Sequence, residues 1–66
     1  MKIIINGSDI EIPENSTISQ VLKITNTKSN MLVVEKNLNI IDKTDYNSTI
    51  LKENDSLEIV GFFGGG

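Results

Sequence analysis

Three glycines, Gly64, Gly65 and Gly66, follow two phenylalanines, Phe62 and Phe63, at the end of the 66 residues. The group this stretch can offer for chemistry is the carboxylate of Gly66. A terminal carboxyl has a pKa near 3.3 to 3.7, so at neutral pH it is a stable anion and a poor electrophile until it is activated, for example as a mixed anhydride with a nucleotide. Glycine suits such a group, because without Cβ the backbone at Gly64, Gly65 and Gly66 can enter a narrow site and leave the last carbonyl open to attack. The plain alternative is a frayed end, since a glycine run loses the most freedom on ordering. Phe62 and Phe63 are neighbours on an extended chain and point opposite ways, so one is expected to pack on the domain and the other to meet a partner.

The rest of the composition removes competing chemistry. With no Cys and no His there is no thiolate nucleophile, disulfide or zinc-sulfur site, and the commonest general base is missing. No catalytic side chain is expected. Asp42 and Asp45 sit in a polar turn without the glycine-containing loop of a calcium site and are read as solvated caps, so no metal is expected either. Tyr46, the one tyrosine, is read as a half-buried packing residue. A net charge of -3 has the wrong sign for a phosphate backbone, which speaks against a nucleic-acid partner, and suits a basic patch on a protein. No stretch approaches the roughly 20 apolar residues of a membrane span, and the apolar run in "MKIIINGSD" is too short for a signal peptide. A cytoplasmic protein is expected.

These 66 residues have room for one small domain that must position the tail. "KIIIN" and "DIEIP" flank an Asn-Gly turn signal and predict a hairpin with Ile3, Ile5, Ile10 and Ile12 on one face. Ile4 then points away from that face and is a partner-contact residue. Ser16 or Thr17 can cap a helix over "TISQVLKI", whose Ile18, Val21 and Leu22 share one side. "TNTKSN" ends it as a polar loop. "MLVVEKN" and the short "LNIID" read as strands without a clear inward register. "TDYNSTILKEND" is a turn-rich crossover anchored by Tyr46, Ile50 and Leu51, and "SLEIV" is a last strand with Leu57 and Ile59 inward, Glu58 and Val60 outward.

A helix over one face of a small mixed sheet accommodates these elements and leaves the other face to partners, with Ile4 and Val60 on it. The division expected is a domain over 1–60 and a flexible tail over 61–66. Six extended residues reach roughly 20 Å, enough to probe a partner's active site while the domain stays docked.

The hairpin "KIIINGSDIEIP", the middle "VVEKNLNIIDKTDY", the run "LKENDSLEIV" and the terminal glycines together resemble the ThiS family of sulfur carriers in thiamine biosynthesis. The resemblance spans essentially the whole chain and implies an α+β fold of the β-grasp, ubiquitin-like kind. Three turns depart from the family's common pattern: Asn37-Leu38 stands where Asn-Gly is frequent, Asp42-Lys43 where Pro-Arg is, and Glu53-Asn54-Asp55 where Asp-Gly-Asp is. The resemblance implies a protein cosubstrate rather than an enzyme, with Gly66 adenylylated by a ThiF-like adenylyltransferase using ATP. Gly66 would then be converted to a thiocarboxylate with sulfur from a donor protein. A ThiG-like thiazole synthase would accept the sulfur, and the carrier itself would hold no cofactor. Two other destinations use the same terminus: a MoaD-like carrier for molybdopterin synthesis, and a ubiquitin-like modifier joined through Gly66 to a lysine. A passive β-grasp interaction module is the remaining class.

Overall fold

The computed structural model describes residues 1–27 and 31–62, with side chains described at all of these except Met31 and Phe62. Strand β1 (Lys2–Ile5) and strand β2 (Ser8–Glu11) form the expected hairpin, with Ile5 opposite Ser8 across a two-residue turn. Asn6 at φ 49 and Gly7 at φ 84 both occupy the left-handed region that such a turn requires, and Asn and Gly tolerate it best. Helix α1 (Ile18–Ile24) follows. Strands β3 (Met31–Lys36) and β4 (Asn39–Ile41), a 3-10 turn at Lys43–Asp45, and strand β5 (Ser56–Phe62) complete the chain.

The capping ambiguity resolves in favour of Thr17. Its hydroxyl accepts from the Gln20 N–H while the Gln20 side chain accepts from the Thr17 N–H, a reciprocal box that satisfies two of the donors a helix start leaves open. The Ser16 hydroxyl instead donates to the Pro13 carbonyl at 2.7 Å and is buried. At the other end Asn26 takes φ 56, its N–H bonds to the Lys23 carbonyl, and the Thr27 N–H reaches back to Leu22. That double bond pattern closes the last turn and turns the chain out of the helix. The remainder of the predicted polar loop, residues 28–30, lies outside the described residues.

The strand order is β2-β1-β5-β3-β4, with β1 and β5 parallel and the other neighbours antiparallel. The last strand thus lies in the middle of the sheet, between the two hairpins. Ile18 and Val21 of α1 meet Ile3 and Ile5 of β1, Val34 of β3 and Leu57 of β5 in one buried cluster, so the helix covers one sheet face as the β-grasp expectation requires. Leu57 is completely buried. Ile10 and Ile59, both expected inward, lie at the rim of this core and are only partly buried.

Two details correct the sequence reading. Ile50, expected as an anchor beside Leu51, is 53% exposed, whereas Leu51 is 2% exposed. Ile50 bridges Thr17 through backbone in an extended stretch, where adjacent side chains point to opposite sides, so only Leu51 can turn inward. The first two residues of the expected flexible tail over 61–66 still belong to the sheet. Pairing with β3 continues through Gly61 opposite Leu32 and Phe62 opposite Met31, because β3 starts early enough to supply a partner two residues beyond Val60.

The turn between β3 and β4 carries a local cost. Leu38 is 88% exposed and sits at φ 73, which places its Cβ against the neighbouring carbonyl. Leu38→Gly is expected to stabilise the fold by about 0.5 to 1 kcal/mol, the relief of strain being partly offset by a freer unfolded chain. Urea unfolding checks it, and a lower midpoint for the variant would contradict the assigned strain.

Candidate functional site

The region that the sequence marked for function is the outer part of β5 and the sheet face opposite the helix. Register fixes this face, since side chains alternate along each strand. On β5 it carries Ser56, Glu58 and Val60, and on β3 it carries Val33 and Glu35. Val60 is 55% exposed and directly opposite Val33, which is also exposed. Ile40 of β4, 72% exposed, lies opposite Glu35 on the same face. An apolar patch therefore forms across three neighbouring strands at the end of the sheet toward which β5 runs.

Glu35 and Glu58 face each other beside this patch. Carboxylates at directly opposite positions of an antiparallel pair repel at Cβ separations of about 5 Å, a small cost to the folded domain. No lysine of this face stands opposite either of them in the register. The arrangement presents two negative charges beside exposed Val33, Val60 and Ile40, and a surface combining basic and apolar groups would complement it.

The residues singled out from the sequence distribute as follows. Val60 lies in this patch. Ile4 lies on the same face but apart from it, half-buried opposite Asp9 on one side and Ser56 on the other, four residues down β5 from Val60. Phe62 has a described backbone, paired with Met31, while its side chain, with Phe63, Gly64, Gly65 and Gly66, lies outside the described residues. Nothing in the local sequence marks Val33, Ile40 or Glu35 as outward-facing. The unbroken "MLVV" run has no alternation to show which residues face outward, and only pairing with the alternating "SLEIV" reveals it.

Two asparagines hold β5 in place. At its start the Asn37 N–H donates to the Ser56 carbonyl at 2.8 Å and the Asn37 Oδ1 accepts from the Ser56 N–H at 2.9 Å. Buried Asp55 accepts from Asn37 Nδ2 and from the Lys52 N–H, which locks the turn before the strand. Farther along, the Asn6 side chain bonds both the N–H and the carbonyl of Ile59. Both asparagines start hairpin turns at positive φ, where this residue type is tolerated.

Beyond the apolar patch, Leu32, Ile41, Asp42, Lys43 and Tyr46 line an open hollow of about 350 Å³ together with Val33 and Ile40. Tyr46 is a packing residue as expected, but buried where half-burial was expected. Burial raises its phenol above the ordinary 10.0, the Asp42 carboxylate pushes the same way, and the Val34 backbone amide opposes them. The folded chain therefore keeps the proton longer than the unfolded chain does, so this contribution to stability is complete below pH 10 and is lost as pH rises through the elevated folded-state value. Tyr46→Phe is expected to remove the part of alkaline destabilisation that follows tyrosinate absorbance. Identical pH profiles for the two proteins would refute it. Asp42 and Asp45 have backbone roles, Asp42 preceding the 3-10 turn and Asp45 accepting from Thr49 through its carbonyl. No helix among the described residues is long and apolar enough to cross a membrane.

Comparison with known proteins places these features in a family. The "Thiazole synthase" of Paramagnetospirillum magneticum is 36% identical over 66 residues, a match that takes in the whole chain but 20% of that protein, so the chain spans about a fifth of its length. The "Sulfur carrier protein ThiS" of Bacillus subtilis is 35% identical over 63 residues, covering 94% of this chain and 96% of that one. The crystal structure of the thiamine biosynthesis protein (ThiS) from Geobacter metallireducens superposes with a TM-score of 0.84 over 100% of both chains at 23% identity, which shows the shared fold. The ThiS family model matches residues 3–66, and the chain belongs to that family.

Proposed function

We propose that this chain is a sulfur carrier that works in the cytoplasm as a protein cosubstrate of thiamine biosynthesis, carrying sulfur as a thiocarboxylate on Gly66 for thiazole formation. The observation that carries this reading is the 35% identity, over nearly the full length of both chains, with a protein named as the sulfur carrier ThiS. The thiazole synthase that matches the whole of this chain within a fifth of its own length supports a ThiG-like acceptor.

The chemistry needs a partner for each bond. A ThiF-like adenylyltransferase binds the domain, and a Gly66 carboxylate oxygen attacks the α-phosphorus of ATP, releasing pyrophosphate and forming an acyl adenylate. A sulfur nucleophile then adds to the carbonyl carbon and AMP leaves. With free sulfide as the nucleophile Gly66 is left with a C–S bond in place of one C–O bond; with a donor protein's persulfide an acyl disulfide forms first, and a thiol reductant cleaves its S–S bond to give the same thiocarboxylate. The thiocarboxylate is ionised and nucleophilic at neutral pH, so the carrier needs no Cys to present reactive sulfur, which accords with a chain that contains none. The ThiG-like synthase takes that sulfur, and an oxygen from water or from the acceptor substrate replaces it on the Gly66 carbonyl carbon to return the carboxylate.

In this reading the domain supplies docking and aim. The open face joins exposed Val33, Val60 and Ile40 to the opposed carboxylates of Glu35 and Glu58, and a partner surface of basic and apolar groups gains from both. Docking must offset the ordering of the tail, on the order of 1 to 2 kcal/mol for each residue fixed. The test is the intact mass of the chain after incubation with a ThiF-like adenylyltransferase, ATP and sulfide. Exchange of one oxygen for one sulfur, localised to Gly66, is expected. An unchanged mass, with the adenylyltransferase active on another carrier, would remove this reading, and an isopeptide to a lysine would replace it with that of a modifier.

A further inference from the structure

The Asn6 side chain does something that the hairpin turn alone does not require. β1 pairs in parallel with β5 at Ile4 opposite Ser56 and Ile5 opposite Leu57. Continuing that register places residue 6 opposite Glu58. Regular parallel pairing would have it donate its N–H to the Leu57 carbonyl and accept the Ile59 N–H at its own carbonyl. The first bond is present at 2.9 Å. The second cannot be made in the regular way, because φ 49 at Asn6 turns the chain off toward β2. The Asn6 side chain makes it instead: Oδ1 accepts the Ile59 N–H at 2.7 Å, and Nδ2 donates to the Ile59 carbonyl at 3.2 Å. A carboxamide has the same donor and acceptor groups as a peptide unit, and here it replaces the rung that the strand has left.

The consequence falls on β5. From Leu57 to Ile59 the strand is held from both flanks, by β1 or Asn6 on one side and by β3 on the other. Among the described residues Asn6 makes the last hydrogen bond from the β1 flank, and Val60, Gly61 and Phe62 are paired with β3 alone. Asn6 therefore sets the point at which β5 passes from double to single support on its way to Gly66.

We propose that Asn6 is a positioning residue for the carrier reaction, fixing the direction in which β5 leaves its double support at Ile59 and so the line on which Val60, Gly61 and Phe62 are presented to the activating partner. This rests on the carrier reading above. Asn6 sits in the turn after β1, beside Glu58 and Ile59, and its carboxamide is engaged with the Ile59 backbone while the apolar patch is formed by Val33, Val60 and Ile40, so its loss acts first on how the end of β5 is presented to a docked partner. Misplacement of a reacting group by about 1 Å can lower a rate by about a hundredfold.

The test uses Asn6→Gly, since glycine adopts φ 49 freely and the substitution deletes the clamp without straining the turn. A core variant in the same protein, Ile12→Val, chosen for a comparable loss of thermal stability, controls for stability alone. The steady-state rate of Gly66 thiocarboxylate formation is measured with a ThiF-like adenylyltransferase, ATP and sulfide, alongside amide exchange at Ile59. Asn6→Gly is expected to lower kcat about tenfold, with KM for the carrier changing less than about twofold and faster Ile59 exchange, while Ile12→Val keeps the wild-type kcat. Equal kcat for wild type and Asn6→Gly, a change in KM alone, unchanged Ile59 exchange, or the same kcat loss in Ile12→Val would each overturn the assignment. A wild-type chain that acquires no sulfur overturns the carrier reading and this one with it, whereas a reactive wild type with an equally reactive Asn6→Gly overturns only this one.

Discussion

Deleting Gly66, or adding a single glycine after it, is expected to abolish sulfur loading while leaving the thermal unfolding curve unchanged. Either change moves the terminal carboxylate by about 3.5 Å along the chain, well beyond the roughly 1 Å at which a reacting group already loses about a hundredfold in rate. The added glycine is the sharper of the two tests, because it introduces no Cβ and changes nothing but where the carboxylate falls. Among the described residues the buried cluster runs in sequence from Ile3 to Leu57, and neither change removes or alters a member of it, so stability is expected to hold. Intact mass reports the loading and circular dichroism the melting. Normal loading of the extended chain would remove Gly66 from its assigned role, and a matching fall in melting temperature would make the tail part of the fold.

Leu57→Ala is expected to have the opposite profile, with stability lost first and activity following. Leu57 is fully buried on the central strand, opposite Ile5 on one side and Lys36 on the other, with the helix over it. Removing its side chain leaves a cavity walled by three strands and α1, so a cost of about 2 to 5 kcal/mol is expected. A domain of this size has a total stability of only about 3 to 10 kcal/mol, and each kcal/mol shifts Tm by roughly 4 to 8 °C. Thermal and urea unfolding should therefore show a fall in Tm of at least about 8 °C. A loss below about 1 kcal/mol would contradict the central placement of this residue. Ile5→Ala belongs in the same range, while Ile59→Ala, at the half-buried rim, should cost less.

The contrast between these two variants shows what could be read from the amino acids alone. Local pattern was enough for the first hairpin, where alternating isoleucines bracket Asn6 and Gly7, for the capped helix, and for the alternation of Leu57, Glu58, Ile59 and Val60. The family resemblance supplied the topology, because the parallel pairing of β1 with β5 joins the two ends of the chain and local periodicity carries no trace of it. Three features stayed hidden for physical reasons. The four apolar residues of "MLVV" fit either register until β5 is laid beside them. Ile50 and Leu51 are equally apolar, and only the Thr17 bridge decides which faces inward. The clamp on Ile59 comes from a side chain 53 residues away, in a turn whose sequence accounts for itself without it.

The strand order has a consequence for how the molecule keeps to itself. A sheet with a hydrophobic open face invites other chains to add along its edges, and the two edge strands here are β2 and β4. β2 turns Asp9 and Glu11 to the open face, and β4 offers only three residues, Asn39–Ile41, to an incoming strand. One rim carries charged side chains, Glu11 paired with the N-terminal ammonium, and the other is too short to template a strand. The strand that leads to the tail lies at the centre, out of reach of such pairing over its doubly flanked half. The sheet can thus leave Val33, Ile40 and Val60 bare to solvent while its margins resist edge-to-edge aggregation.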